Sequence, residues 1–328
     1  MARGRNNNKM TRRKKFQPAV MQMDLQVPAG TSYVDLALCA SLLNRRGYKQ
    51  ENTNWAVASF EFLSAGVSSG TVVIGKLQET WVLENAYEKS MVLWNKMQDQ
   101  VLDDEPSIKG KYHDFKVYMN DEMRQQTPQS QGNPTGKILT PIVGDWTGAD
   151  FTGAASPRAD WDYSTLQIPN DPTTGLTDEY YMHVLGPDTA DSKGLIDGYA
   201  LSRSRPQEQD PNVPLAEGWM NELFDVGENN EEIRDDLVEQ NDRPPYALIG
   251  AASVREAYPG GSEEFMTAQV HGFCNFTTTT VSSKNSIQGG MFGLGLIKIQ
   301  NNTAGDLQLL IHMMPGDHRG YLCEELIQ

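Results

Sequence analysis

Hydrophobic and polar residues alternate with a period of two over several short stretches of the chain. The clearest is Trp55–Leu63, where Phe60 and Phe62 fall on one face, and Thr71–Leu77 adds a β-branched segment. Successive side chains of a strand point to opposite faces of a sheet, so this pattern predicts strands. The other predicted strands are Phe115–Met119, Ser164–Ile168, Glu179–Leu185, Phe265–Phe276, Met291–Ile299 and Leu307–Met314.

About eight short strands, separated by turns and long loops, predict an all-β fold. The specific expectation is an antiparallel eight-stranded jelly-roll sandwich with long loop insertions and a few short helices. We expect six side chains on its inner faces: Phe60, Phe62, Val73, Val117, Ile297 and Leu309.

Three segments have helical periodicity instead. A short helix over Leu36–Leu43 is predicted to be capped by Thr31 or Ser32. A longer helix, Glu84–Val101, has a continuous apolar stripe that we expect to pack against the sandwich or a neighbouring subunit. The third, Glu231–Gln240, is acidic with a thin apolar stripe. The stripe of the long helix consists of Tyr87, Met91, Trp94 and Met97.

Charge divides the chain into two unequal parts. The first fifteen residues contain seven basic side chains and no acidic one, whereas the remainder has 28 − 7 = 21 Lys and Arg against 43 Asp and Glu, a net of −22. A short cationic arm on an acidic body is typical of proteins that hold a polyanion. The predicted nucleic-acid-binding residues are Arg3, Arg5, Lys9, Arg12, Arg13, Lys14 and Lys15.

These patterns predict two parts of the chain. Residues 1–30 are expected to be a disordered basic arm, because they have no periodic apolar face. Residues 31–328 are expected to form the sandwich, with long loops inserted at about 124–158 and 203–262. We expect both loops to lie at subunit contacts or on the outer surface.

The sequence has no pattern typical of an enzyme, and we expect no catalytic residue, no bound metal and no cofactor. His183, His271 and His312 fall inside predicted strands and have no metal-ligand spacing. Cys274 is predicted to be a core thiol. Gly293-Leu-Gly295 has no third glycine or following helix, so it is interpreted as strand and not as a phosphate loop.

Three widely spaced cysteines indicate a reducing compartment, and no apolar run is long enough to span a membrane.

Longer strings resemble the capsid proteins of circular Rep-encoding single-stranded DNA viruses, in particular the environmental groups. The resemblance covers nearly the whole chain from about Ser32 onward. The strings are NRRGYKQENTNWAVASFEF, LQETWVLENAYEKSMVLWNKMQDQVLD, EPSIKGKYHDFKVYM, DWDYSTLQIPND, SKGLIDGYALSRSRPQEQDPNV, GWMNELFDVGEN, FTTTTVSSKNSIQGG and MPGDHRGYLCEELIQ.

The resemblance implies a jelly-roll coat subunit that assembles with copies of itself into an icosahedral virion around a circular single-stranded DNA genome. It also implies assembly in the host nucleus or cytoplasm, with the arm facing inward. A gene for 328 residues needs 328 × 3 = 984 nucleotides, whereas sixty arms supply 60 × 7 = 420 charges. Inner-surface residues such as Arg45 and Arg46, or counterions, would then supply the rest.

Two other classes of function remain open on the sequence. One is a nonviral nucleic-acid-binding β-sandwich protein with an acidic body. The other is a carbohydrate-binding or carbohydrate-active jelly roll, since this fold hosts many functions.

Overall fold

The computed structural model describes residues 18–50, 53–64, 69–109, 114–130, 133–143, 146–147, 150–151, 154–155, 161–169, 177–203, 267–277 and 284–326. Most of the ordered elements are strands arranged in antiparallel sheets, as expected for an all-β sandwich.

Two five-stranded sheets form the centre of the molecule. Sheet A has the order β1-β17-β3-β15, with β20 paired to β3, and sheet B has the order β14-β4-β16-β2-β6. The strands of sheet A are β1 (Gln22–Val27), β3 (Thr53–Ser64), β15 (Lys284–Gly293), β17 (Leu307–Met313) and β20 (Cys323–Glu325). Those of sheet B are β2 (Gly30–Asp35), β4 (Gly70–Lys76), β6 (Ile138–Leu139), β14 (Gln269–Phe276) and β16 (Leu296–Asn301).

The long strands from the N-terminal part of the chain pair with strands from its C-terminal part. β1 pairs with β17, β2 with β16, β3 with β15 and β4 with β14, and all four pairs are antiparallel. Two further antiparallel pairs, β17 with β3 and β16 with β4, complete the sheets. Side chains from both sheets share one apolar core, which includes Leu25, Phe60, Leu309, Ile74 and Ile299.

Smaller elements lie between and after these strands. The helices are α1 (Leu36–Asn44), α2 (Trp81–Asp104), α3 (Asp121–Arg124) and α4 (Leu195–Arg203), with one 3-10 turn at Pro106–Ile108. The other strands are β5 (Tyr118–Asn120), β7 (Ile142–Val143), β8 (Trp146–Thr147), β9 (Asp150–Phe151), β10 (Ala154–Ala155), β11 (Thr165–Pro169), β12 (Thr177–Leu185), β13 (Ser192–Gly194), β18 (Pro315–Gly316) and β19 (Gly320–Tyr321).

The chain between β4 and β14 builds a third layer, which we call the inserted module (residues 77–203). Its own sheet, sheet C, consists of β11, β12, β13 and β5, and a second apolar core joins it to sheet B. Tyr33 and Leu296 of sheet B belong to this second core. Three segments predicted as sandwich strands, near residues 115, 164 and 179, therefore lie in the inserted module instead. Val117 is buried, as expected, but in the second core.

Helix α2 confirms the predicted helix and extends it by three residues at each end. Tyr87 and Trp94 are buried against Phe115, with ring centroids 5.3 and 5.5 Å apart respectively. Met91 and Met97 are partly buried against the same core. The apolar stripe therefore packs within the inserted module.

The predicted boundary of the basic arm is wrong by about nine residues. Residues 22–27 form β1 of sheet A, in which Met23, Leu25 and Val27 are buried in the core of the sandwich. The alternation was present in the sequence, but it is only six residues long and follows the basic arm directly. Pairing with β17 stabilises it, and that partner is distant in the chain.

Two further strand predictions need correction. Met291–Ile299 forms two strands, because the chain turns at Leu294 and Gly295, where φ is 56° and 69°, and passes from β15 in sheet A to β16 in sheet B. Two successive residues with positive φ are typical of a tight turn. Gly295 is therefore a turn residue. Val73 is half-buried, whereas its neighbours Val72 and Ile74 enter the sandwich core, so the predicted inner face of β4 was shifted by one residue.

The first long loop is not confined to the surface. Within 124–158, the strand β6 pairs in parallel with β2, and Ile138, Leu139 and Gln129 are buried. Gln129 donates from Nε2 to the carbonyl of Gln26, 2.7 Å away. This segment is therefore part of the edge of sheet B. Most of the second loop, 203–262, and the predicted helix Glu231–Gln240 lie outside the described residues.

Asp35 joins the sandwich to the inserted module. It caps α1 by accepting from the backbone N–H groups of Ala37 and Leu38, a role predicted for Thr31 or Ser32, which lie in β2. Its other oxygen accepts from Tyr163 Oη at 3.2 Å. Burial raises the pKa of the Asp35 carboxyl to about 6, although these hydrogen bonds oppose the shift.

Replacing Trp94 with alanine should destabilise the protein by about 3–5 kcal/mol, because the ring is 5 % exposed and packs on Phe115. Chemical denaturation measures the effect. Val92→Ala on the same helix is the control, since Val92 is 48 % exposed and should change stability by less than about 0.5 kcal/mol. Equal losses for both variants would contradict the packing of α2.

Asp35→Asn should change the pH dependence of stability. The folded-state pKa of about 6 exceeds the unfolded value of about 3.9, so the contribution is fully present below pH ~4 and is lost as pH rises through 6. Asparagine keeps the cap but does not titrate. Between pH 4 and 7, wild-type stability should fall by about 3 kcal/mol relative to the variant.

Urea denaturation at pH 4, 5, 6 and 7 measures this difference. Asp104→Asn, at an exposed position near the end of α2, is the control and should run parallel to the wild type. If Asp35→Asn also runs parallel to the wild type, the Asp35 carboxyl does not carry the shifted pKa.

Candidate nucleic-acid interface

The seven basic residues predicted to bind nucleic acid precede residue 18 and lie outside the described residues. They are Arg3, Arg5, Lys9, Arg12, Arg13, Lys14 and Lys15. The structure begins at the point where this arm joins the body, and we call residues 18–21 the arm root.

Two segments that are distant in sequence hold the arm root. Asn44, the last residue of α1, accepts from the backbone N–H of Val20 through Oδ1 at 2.9 Å. Tyr321, in β19, donates from Oη to the Val20 carbonyl at 2.7 Å. Asn44 also donates to Tyr321 Oη at 2.8 Å, which closes the network. One residue later, the Met21 carbonyl accepts from Met313 N–H, so the root passes directly into sheet A.

Tyr321 of this hydrogen-bond network also belongs to a buried aromatic cluster. Tyr48, Trp55 and Tyr321 are buried, with ring centroids 5.4 to 6.0 Å apart. Burial raises the pKa of Tyr321 to about 12. His318 packs edge-on against Trp55, and its pKa is lowered by burial and by the charge of Arg319. The root is therefore held next to a buried aromatic cluster.

Three arginines lie on the segments that hold the root. Arg45 and Arg46 follow Asn44, and Arg319 lies two residues before Tyr321. Arg46 Nη1 donates to the Arg319 carbonyl at 3.5 Å, and the Arg319 guanidinium donates to the Gly47 carbonyl. Sequence reasoning had named Arg45 and Arg46 as inner-surface candidates but missed Arg319, because only the fold brings residue 319 to residue 46.

A buried cluster of charged residues lies elsewhere, at the junction of β12, β13 and α4. Asp188 accepts from the Gly194 N–H at 2.8 Å and lies 3.4 Å from Lys193 Nζ, while its own N–H donates to Asp197. His183 Nε2 is 3.2 Å from the Pro187 carbonyl. Asp188, in the β12–β13 connection, is thus bound by Lys193 of β13 and by Asp197 of α4. The cluster therefore holds the β12–β13 connection against α4.

The described histidines and cysteines do not come together in one site. His271 lies in β14 and His312 in β17, beside Phe292 and Glu61 respectively. Cys274 on the edge strand β14 was predicted to be a core thiol; it is half-buried and packs against the sandwich core, and burial raises the pKa of its thiol to about 11. Among the residues with described positions, no group of three His, Cys, Asp or Glu side chains could hold a metal ion.

In the same part of the chain, none of the helices has both the length and the apolar character that a membrane crossing requires. Comparison of the chain with protein-family models, with curated proteins and with solved structures found no match.

Proposed function

We propose that this protein is a jelly-roll coat subunit that assembles with copies of itself into an icosahedral shell and packages circular single-stranded DNA through its basic arm. The observation that carries the proposal is the order of strand pairing. In sequence order, the eight long strands of sheets A and B pair first with eighth, second with seventh, third with sixth and fourth with fifth. A jelly roll consists of such a double-sheet arrangement of eight strands, and viral coats are among the proteins that use it.

The placement of the insertion is compatible with a shell subunit. The inserted module follows β4 and precedes β14, so it lengthens one connection and leaves the four strand pairs intact. The loops of a rigid sandwich are the usual place for contacts with other molecules.

The arm root supports the packaging half of the proposal. The root is fixed by Asn44 and Tyr321, and it leads from sheet A into a segment with seven basic residues. The rest of the chain has a net charge of −22, so a polyanion should be attracted to the arm and repelled by most of the body.

Assembly can be tested directly by negative-stain electron microscopy of the purified full chain. The expected result is a population of uniform closed particles. A protein that stays monomeric under all assembly conditions and binds glycans would contradict the proposal and favour the carbohydrate-binding alternative. A monomer that binds nucleic acid would favour a nonviral binding protein.

Deleting residues 2–15 should remove most of the binding to single-stranded DNA. Seven phosphate contacts predict a contribution of about −5 to the slope of log affinity against log salt. Binding of a fluorescent oligonucleotide at several salt concentrations measures the slope, and the ultraviolet ratio of purified particles measures packaged DNA. Binding should depend little on base sequence, because phosphate contacts carry no sequence information.

The truncated protein should still fold, since β1 begins at Gln22. An unchanged thermal unfolding midpoint is the control. A truncated protein that packages a normal load of DNA would show that the genome is held by the inner wall and not by the arm.

A further inference from the structure

The arm root is surrounded by cations that come from both ends of the chain. Arg45 and Arg46 lie at the end of α1, and Arg319 lies in the hairpin between β18 and β19. The hydrogen bonds of Arg46 to the Arg319 carbonyl and of Arg319 to the Gly47 carbonyl hold the two segments together. Because Asn44 and Tyr321 both bind Val20, the arginines lie within two residues of groups that touch the root.

Tyr48 lies beside two of these arginines. Burial raises the pKa of the Tyr48 phenol, and the charges of Arg46 and Arg319 both oppose that shift. Tyr48 Oη donates to the Arg319 carbonyl at 3.0 Å. Both guanidinium groups therefore lie close to one phenol ring, and their fields add.

The backbone at two of the arginines is unusual. Arg45 and Arg319 have φ of 50° and 51°, and in the described part of the chain Leu294 is the one other non-glycine residue with positive φ. Glycine and asparagine occupy this left-handed region at the lowest cost. A long cationic side chain at both positions is therefore disfavoured locally, which points to a use for the side chain.

The two segments that hold the root contain more basic than acidic residues. Residues 44–47 and 315–321 contain three arginines and one acidic residue, Asp317, which is an excess of two positive charges. Arg45 and Arg319 are exposed, and Arg46 is half-buried. This excess stands out on a body whose net charge is strongly negative.

We propose that Arg45, Arg46 and Arg319 form a second phosphate-binding site, the root patch, which holds the backbone of single-stranded DNA where the arm leaves the body. Guanidinium groups suit this role, because their planar donors match phosphate oxygens. The aromatic rings beneath the patch are buried, so they are not available to stack on bases. Contacts at the patch should therefore be independent of base sequence.

Chain geometry allows one strand of DNA to contact both the arm and the patch. Lys15 precedes Val20 by five positions in the chain, so their Cα atoms are at most about 18 Å apart. The patch raises the cations available per subunit from seven to ten, and it reduces the repulsion that DNA meets as it approaches an acidic body. This inference rests on the proposed packaging function.

The test is salt-titrated binding of a single-stranded oligonucleotide to the full chain. With ten phosphate contacts the expected slope of log affinity against log salt is about −7. Arg45→Asn combined with Arg319→Asn should reduce its magnitude to about 5.6. Asparagine suits the left-handed backbone at both positions, which offsets the lost hydrogen bond from Arg319 to the Gly47 carbonyl, so the thermal unfolding midpoint should stay close to that of the wild type. Arg45→Lys combined with Arg319→Lys keeps both charges and should restore a slope near −7.

The matched control removes two cations elsewhere, by Lys96→Gln on α2 and Lys284→Gln on β15. Lys284 pairs with Leu63, eight residues along β3 from Trp55, which places it about 26 Å from the aromatic cluster. This control should keep the wild-type slope. If the asparagine variant also keeps it, the root patch does not bind phosphate.

Removing the arm separates the failure of this inference from the failure of the proposed function. Without residues 2–15, the root patch alone should leave a slope of about −2, and the two asparagine substitutions should reduce its magnitude to below 1. A truncated chain that keeps the full slope would overturn the role of the arm. A truncated chain with no salt dependence, beside a full chain with a slope of −5, would overturn the root patch alone.

Discussion

Burial of one part of sheet B, the strands β2 and β16, on both faces is the constraint on which the rest of the structure depends. The inner face of sheet B packs on sheet A, and the outer face at Tyr33 and Leu296 packs on the inserted module. In β2, Ser32, Tyr33, Val34 and Asp35 are consecutive buried residues, so simple alternation is lost there. A sheet covered on both faces needs apolar side chains on both faces. The insertion after β4 is therefore a structural layer of the protein.

The junction between these layers contains polar groups that must be satisfied. Gln50 accepts from the Val117 N–H at 2.6 Å and donates to the Val117 carbonyl at 3.0 Å, which continues the hydrogen bonding that a strand would have made. Asp35 and Tyr163 meet in the same region. A buried carboxyl in this position loses its hydration, which is why its pKa rises despite three hydrogen bonds. The stability of the folded protein therefore depends on the protonation state of the Asp35 carboxyl at this junction.

Basic residues are concentrated in the arm and beside its root. Seven of them lie in the first fifteen residues, and Arg45, Arg46 and Arg319 lie on the two segments that bind Val20, whereas the rest of the chain is acidic. Tyr48, Trp55 and Tyr321 pack closely next to these arginines, and Tyr321 also binds Val20, so the arm root is held against sheet A.

The sequence by itself determined the features that depend on neighbours in the chain. Period-two alternation predicted β3 and β17, the apolar stripe predicted α2, and the basic cluster predicted the arm, whose residues precede the structure described. Five of the six residues expected on inner faces are buried, and Val73 is not. The tertiary structure decided the rest. It separated β15 from β16 at Leu294, ordered β1 against β17 and assigned Val117 to the inserted module, because strand pairing and layer contacts join residues that local periodicity cannot relate. For the same reason it brought Arg319 to Arg46, 273 residues away.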